Sequence, residues 1–228
     1  MRQKLIVLFA MVAAGLLAWD LYRIFYTSPD EVIGVPFYKI MYFHVPFGIL
    51  SLSGFFVAMA ASIGYLWRKD LRYDALAVAM TEVSLVFATI LLVTGSIWAR
   101  VAWLTWWNWE PRLTSMLICW ILYAGYLMLR RAIDEPHQRA RLSGVLSIFA
   151  FVDVIIVWKS IEWWQQNLHP RPVLKVRGGA GMSPGVEAPM WWNVLALALI
   201  GTILVLLRLR QENARREIES LRRYAHAM

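Results

Sequence analysis

Cysteine is almost absent. Cys119 is the one thiol among 228 residues, and it lies inside an apolar run. A lone cysteine excludes an intramolecular disulfide and a CxxC redox pair, so the function does not rest on thiol chemistry. Charge is scarce too: Asp, Glu, Lys and Arg make up 17% of the chain, against roughly 25% in a soluble domain. No motif for phosphoryl, acyl or hydride transfer is present, and no internal repeat. No set of three or four N, S or carboxylate ligands stands at a spacing usual for zinc. What is there is apolar, 60% of the residues. That balance describes a polytopic membrane protein, and the length allows one helical bundle rather than two soluble domains.

Hydropathy divides the chain into six spans. Arg2 and Lys4 precede an apolar run from Leu5 to Ala18. No small-x-small cleavage site follows, and Trp19-Asp20 comes instead, so the run reads as an uncleaved first span. The expected fold is all-α: a single integral membrane domain over 1–228 with six transmembrane helices, at about 4–22, 40–67, 76–97, 113–129, 142–158 and 190–207. Each is near the length needed to cross a hydrocarbon core of roughly 30 Å. The tail, 208–228, has a helical pattern with Glu212/Arg216 and Glu219/Arg223 as i,i+4 pairs. It is expected to extend span six or to lie on the membrane surface. Residues 159–189 contain GGAGMSPG and read as a mobile loop. Asp20, Glu82 and Asp153 fall in or near spans and are expected in structural pairs, because an unpaired charge there is costly.

Net charge is +8, but the basic residues are concentrated in particular loops, a topology signal rather than a nucleic-acid footprint. Fifteen of the twenty-three lie at the N-terminus, in the 68–72 and 130–141 loops and in the tail. Positive-inside counting therefore puts both termini in the cytoplasm. The loop between spans three and four, the 23–40 loop and the 159–189 loop then share the outer face.

That outer face carries the most unusual stretch, Trp98 to Ser115. Trp98, Trp103, Trp106, Trp107 and Trp109 are five of the thirteen tryptophans, followed at once by Glu110, Pro111 and Arg112. Tryptophan belongs at membrane interfaces, but an ordinary belt has one or two per span end. This density suggests a flat aromatic platform for a large planar ligand. Two of the four histidines fall on the same face: His44 at the start of span two and His169 just beyond span five. His137 and His226 read as plain solvated residues. Imidazole is a good ligand for iron, copper and zinc, and two imidazoles can hold a haem iron from opposite sides while aromatic rings contact the macrocycle. Arg100, Arg112, Arg171 or Lys175 could pair with haem propionates. Two other classes stay open. One is a membrane haem b subunit for quinol or electron transfer, which needs ligands deep in the bilayer. The other is a solute transporter or channel without haem.

The run Trp98-Ala99, Trp103, Trp106-Trp107-Asn108-Trp109-Glu110-Pro111-Arg112-Leu113-Thr114-Ser115 resembles the tryptophan-rich signature of the WWD cytochrome c assembly family. Within it, the chain is similar to the cytochrome c maturation protein C group, also called heme exporter protein C. His44 in Tyr-Phe-His-Val-Pro and His169 in Trp-Trp-Gln-Gln-Asn-Leu-His match that group's two haem-ligating histidines. The resemblance covers about residues 40–190. Three positions depart from the pattern: Ala99 where glycine is usual, Leu104 where a small residue is common, and Glu110 where the name-giving aspartate stands.

The resemblance implies a haem-handling protein of the bacterial cytoplasmic membrane, not an enzyme. Such a protein holds haem b at the periplasmic face and delivers it to a periplasmic haem chaperone for c-type cytochrome biogenesis. It implies His44 and His169 as axial ligands to the haem iron. Trp98, Trp103, Trp106, Trp107, Trp109 and Glu110 then form the platform, with Arg112 among the haem-binding residues. Its implied partners are that chaperone, a small single-span membrane subunit, ABC transporter subunits of the maturation system and membrane lipid, with no nucleic acid.

Overall fold

The computed structural model describes residues 2–27, 39–164 and 184–227. All regular structure among them is helical. The helices are α1 (Arg2–Tyr22, continued by a π-helical turn, Arg23–Thr27), α2 (Met41–Arg68), α3 (Leu71–Trp103), α4 (Pro111–Arg131), α5 (Pro136–Trp163) and α6 (Pro184–Ala227). All six are long and apolar enough to cross a membrane.

Several helices run past the hydropathy spans because their polar ends are capped. Lys69, in the left-handed region at φ 56°, ends α2. Asp70 caps α3 by accepting from the Arg72 amide at 2.8 Å. The Arg72 side chain and amide hold the exposed Asp70 carboxyl below the usual carboxylate range. Pro111 and Pro136 occupy first-turn positions where their missing N–H is not needed. The Glu135 carboxylate accepts from the amides of His137 and Gln138. The tail is not a separate element: α6 is one helix of 44 residues, about 66 Å long at 1.5 Å per residue.

Short links make neighbouring helices antiparallel. α2 and α3 approach closely at Gly54, where a Cβ would lie 1.9 Å from Ser84 Oγ. Small residues at a helix crossing let backbones pack tightly where lipid removes the hydrophobic drive. In the centre, Phe55 of α2 and Tyr123 of α4 stack with ring centroids 3.8 Å apart, surrounded by Leu52, Ala88, Met116, Cys119, Ala150 and Val154. Cys119 is buried core filling. α1 packs mainly on α6 and turns Leu5, Leu8, Met11 and Trp19 outward.

At the end of the bundle where α3 begins and α4 ends, the arginines are not simply solvated. Arg130 of α4 holds Asp74 of α3 with two hydrogen bonds, 2.6 and 2.9 Å, and donates a third to Ser143 of α5 at 2.9 Å. Arg216 of α6 reaches the same carboxylate at 2.7 Å and donates to the Leu71 carbonyl. Arg208 pairs with Glu82, and Arg139 lies 3.7 Å from Glu219. Of the two expected tail pairs, Glu212–Arg216 forms at 3.0 Å. Glu219 meets Arg215 at 2.8 Å, one turn nearer its own N-terminal side, and the Arg223 side chain of the other expected pair lies outside what is described. Among the acids in the spans, Glu82 is paired as expected. Asp20 has neither oxygen hydrogen-bonded among the described residues, and Asp153 Oδ2 is likewise unmatched. His137 is exposed, as expected of a solvated residue, and its backbone carbonyl accepts from the hydroxyl of the buried Tyr65 at 3.0 Å.

Candidate functional site at the tryptophan end

The opposite end of the bundle is where α2 starts, α3 ends and α4 starts. The α5 terminus at Trp163 and the start of α6 at Pro184 lie at this end as well. His44 sits in the first turn of α2, half-buried against α3. Its Nδ1 is 3.0 Å from Thr94 Oγ1. The Thr94 hydroxyl also has the carbonyls of Ile90 and Leu91 as acceptors, at 2.7 and 3.1 Å. With its proton on either carbonyl, its oxygen accepts from His44 Nδ1–H. That tautomer leaves Nε2 as the basic nitrogen, the form a metal takes. Gly95 makes room for the ring: a Cβ there would lie 3.0 Å from His44 Cε1.

Trp98 follows Thr94 by four residues and Gly95 by three, so it stands one turn along the same face of α3. The α3 helix ends at Trp103, and Leu104 reverses the chain in the left-handed region at φ 60°. Arg100 donates to the Leu104 carbonyl, and Thr105 Oγ1 to that of Trp107 at 2.9 Å, which shapes the link to α4. Trp98 and Trp103 meet with ring centroids 4.8 Å apart at 77°, and Trp107 and Trp109 at 6.0 Å and 75°. These are edge-to-face pairs, the arrangement that the ring quadrupole favours. Within each pair the rings stand nearly perpendicular rather than coplanar. Trp106 and Trp109 are largely exposed, whereas Trp98, Trp103 and Trp107 are half-buried. The Trp107 indole N–H is buried with no hydrogen-bond partner among the described residues.

Glu110 is buried and forms the N-cap of α4, followed by Pro111. A carboxylate is favoured at a helix N-terminus, where backbone N–H groups point outward. Arg112, half-buried in the first turn, lies in its electrostatic field. The structure thus brings His44, Trp98, Trp103, Trp106, Trp107, Trp109, Glu110 and Arg112 to one end of the bundle. His169, Arg171 and Lys175 lie outside the described residues, as does the expected Gly-rich mobile loop. Among the described residues, no three His, Cys, Asp or Glu side chains come together as a metal site. Thr94 and Gly95 went unnoticed in the sequence, where a threonine and a glycine inside an apolar helix look like packing residues. Their spacing of four and three from Trp98 was the available signal.

A family model described as heme exporter protein C matches residues 1–224. The heme exporter protein C of Bradyrhizobium diazoefficiens is 35% identical over 195 residues, covering 85% of this chain and 73% of that protein. The Escherichia coli K12 protein of the same name is 36% identical over 174 residues, 76% of this chain and 69% of its own. That of Paracoccus denitrificans is 31% identical over 196 residues, 86% and 81% of the two chains. With a match of that extent and relatives of that identity, the chain belongs to the heme exporter protein C family.

Proposed function

We propose that this chain carries haem at the tryptophan end of its membrane bundle and delivers it for c-type cytochrome biogenesis. The role is transfer of a cargo rather than catalysis. The observation that carries the reading is the His44 imidazole, held through Nδ1 at Thr94 and given room by Gly95, both one turn from Trp98 on α3. This donor set suits a haem: a neutral imidazole for iron, indole edges for the macrocycle, and a guanidinium, Arg112, for a propionate.

In this reading His44 and His169 are the axial ligands of haem b, one from each side. Two imidazoles saturate the iron and keep oxygen away from it. Trp98, Trp103, Trp106, Trp107 and Trp109 would hold the porphyrin, and the buried Trp107 N–H, without a partner among the described residues, would be a donor for its polar edge. Glu110 at the α4 N-cap supplies the opposing charge to Arg112. The tryptophan end faces the periplasm of a bacterial cytoplasmic membrane, by the positive-inside argument, and both termini lie in the cytoplasm. The partners are a periplasmic haem chaperone that receives the cargo, a small single-span subunit and the ABC transporter of the same system.

The test is a visible spectrum of protein purified from membranes, native and with His44→Ala or His169→Ala. Native protein should show a Soret band that moves to added chaperone. Each variant should lose the six-coordinate signature. A native protein without a Soret band would end the haem reading.

A further inference from the structure

Pro46 lies one turn after Tyr42 in α2 and has no N–H, so the i+4 amide that would ordinarily meet the Tyr42 carbonyl does not exist. The Asn193 side chain of α6 fills that role: its Nδ2 donates to the Tyr42 carbonyl from 151 residues away in the chain. Asn193 is fully buried, and its Oδ1 has no hydrogen-bond partner among the described residues. A residue chosen only to fill this space would be apolar, since half of this amide is desolvated without return. The amide nitrogen is what the position uses.

The consequence falls on His44. It lies between Tyr42 and Pro46, on the turn whose own backbone bond is missing. Its neighbours Phe43 and Val45 pack against a small cluster of Ile24, Tyr42 and Met190 contributed by α1, α2 and α6. The turn is therefore held on two sides: Thr94 of α3 fixes the imidazole, and Asn193 of α6 fixes the backbone beneath it. We infer that Asn193 is a positioning residue for His44, replacing the backbone donor that Pro46 removes and setting the pose of the imidazole from α6. The inference rests on the reading of His44 as a haem ligand.

The test uses Asn193→Leu, Asn193→Asp and the double variant N193L/P46A in the full-length protein. Leu matches Asn in size and cannot donate. Asp is isosteric and offers no N–H if leucine proves too disruptive. Replacing Pro46 with alanine returns an amide donor to the Tyr42 carbonyl without Asn193. Two readouts are needed. In haem-free protein, amide hydrogen exchange over residues 41–50 should quicken about tenfold in N193L or N193D, the cost of one hydrogen bond. It should return towards native in N193L/P46A. In haem-loaded protein, the low-spin electron paramagnetic resonance signal should shift or turn high-spin in N193L and recover in the double variant. Native exchange over 41–50 in both single variants overturns the proposal, and so does faster exchange that P46A fails to slow. Faster exchange with an unshifted haem signal overturns the positioning role. A His44→Ala protein that keeps the native haem signal overturns the ligand reading instead, and the exchange result tells the two failures apart.

Discussion

Asp74 should be the most costly single position to neutralise outside the tryptophan end. It is 3% exposed and accepts three guanidinium hydrogen bonds, at 2.6 and 2.9 Å from Arg130 and 2.7 Å from Arg216. Asp74→Asn keeps the shape and one acceptor oxygen but removes the charge. Arg130, itself 7% exposed, is then left with Ser143 and with Glu212, which is 4.0 Å away. Breaking one side of a buried pair costs about 3–5 kcal/mol. D74N should fall near the lower figure and D74A near the upper, since alanine also leaves a void. For a chain of this length, 3 kcal/mol corresponds to a loss of roughly 6–12 °C in Tm. Arg216 suffers less, because it keeps Glu212 at 3.0 Å. The decisive variant is the apolar double, D74L/R130M. A buried pair replaced by packed apolar groups is often neutral or better, so the double should be more stable than D74N. The assay is the fraction of protein eluting as folded monomer from detergent after heating, run beside trypsin cleavage at the exposed Arg215. D74N should melt early and lose its tail sooner. If D74N melts within about 1 °C of native, or the double variant loses the sum of both singles, the network is not carrying the load assigned to it.

Thr94→Val deletes the acceptor for His44 Nδ1–H and should lower haem affinity about 10–100-fold, while Thr94→Ser keeps it; titration of haem into both proteins, followed at the Soret band, reads the difference. Gly95→Val should push the His44 ring aside, because even a Cβ would lie 3.0 Å from Cε1, and should abolish the six-coordinate spectrum at a cost of about 1–3 kcal/mol in stability; native-like binding in G95V would remove Gly95 from the site. Leu104→Gly should raise stability by up to about 1 kcal/mol, because a left-handed leucine is strained and this one, 78% exposed, has little packing to lose; thermal melts of the two proteins check it.

The six helices were legible because apolar runs of twenty or so residues have few other readings. Their ends were not, because caps such as Asp70 and Glu135 extend a helix into polar sequence where hydropathy falls silent. The ionic cluster was invisible for a different reason. Asp74 reads as an ordinary first-turn acid and Arg130 as one of many loop arginines, and their pairing spans 56 residues. Periodicity carries no information at that range. At the other end, the tryptophans stood out by density and His44 by company, so they could be named as candidates that the fold then brings to one end of the bundle. The angles between the rings could not be read, since they depend on how Leu104 turns the chain. Asn193 was a missed signal as well, beside Thr94 and Gly95. An amide in an apolar helix, directly after Trp191-Trp192, is a polar residue that a membrane tolerates only for a reason.

That residue also explains why α6 is so long. The helix is staked at both ends of the bundle: by Asn193 to the Tyr42 carbonyl, and by Arg208, Glu212 and Arg216 to Glu82, Arg130 and Asp74. The two stakes are about 28 Å apart along one uninterrupted helix, and they differ in kind. The far stake is a mesh of charged pairs shared among α3, α4 and α6, and no single bond releases it. The near stake is one amide on one carbonyl, with its other half unsatisfied. The lighter polar hold lies beneath His44, beside the apolar contacts of Met190. In the proposed reading, a protein that must grip haem and then let it go needs its weakest fastening beside His44, and a rigid anchorage far from it keeps that local release from unravelling the bundle.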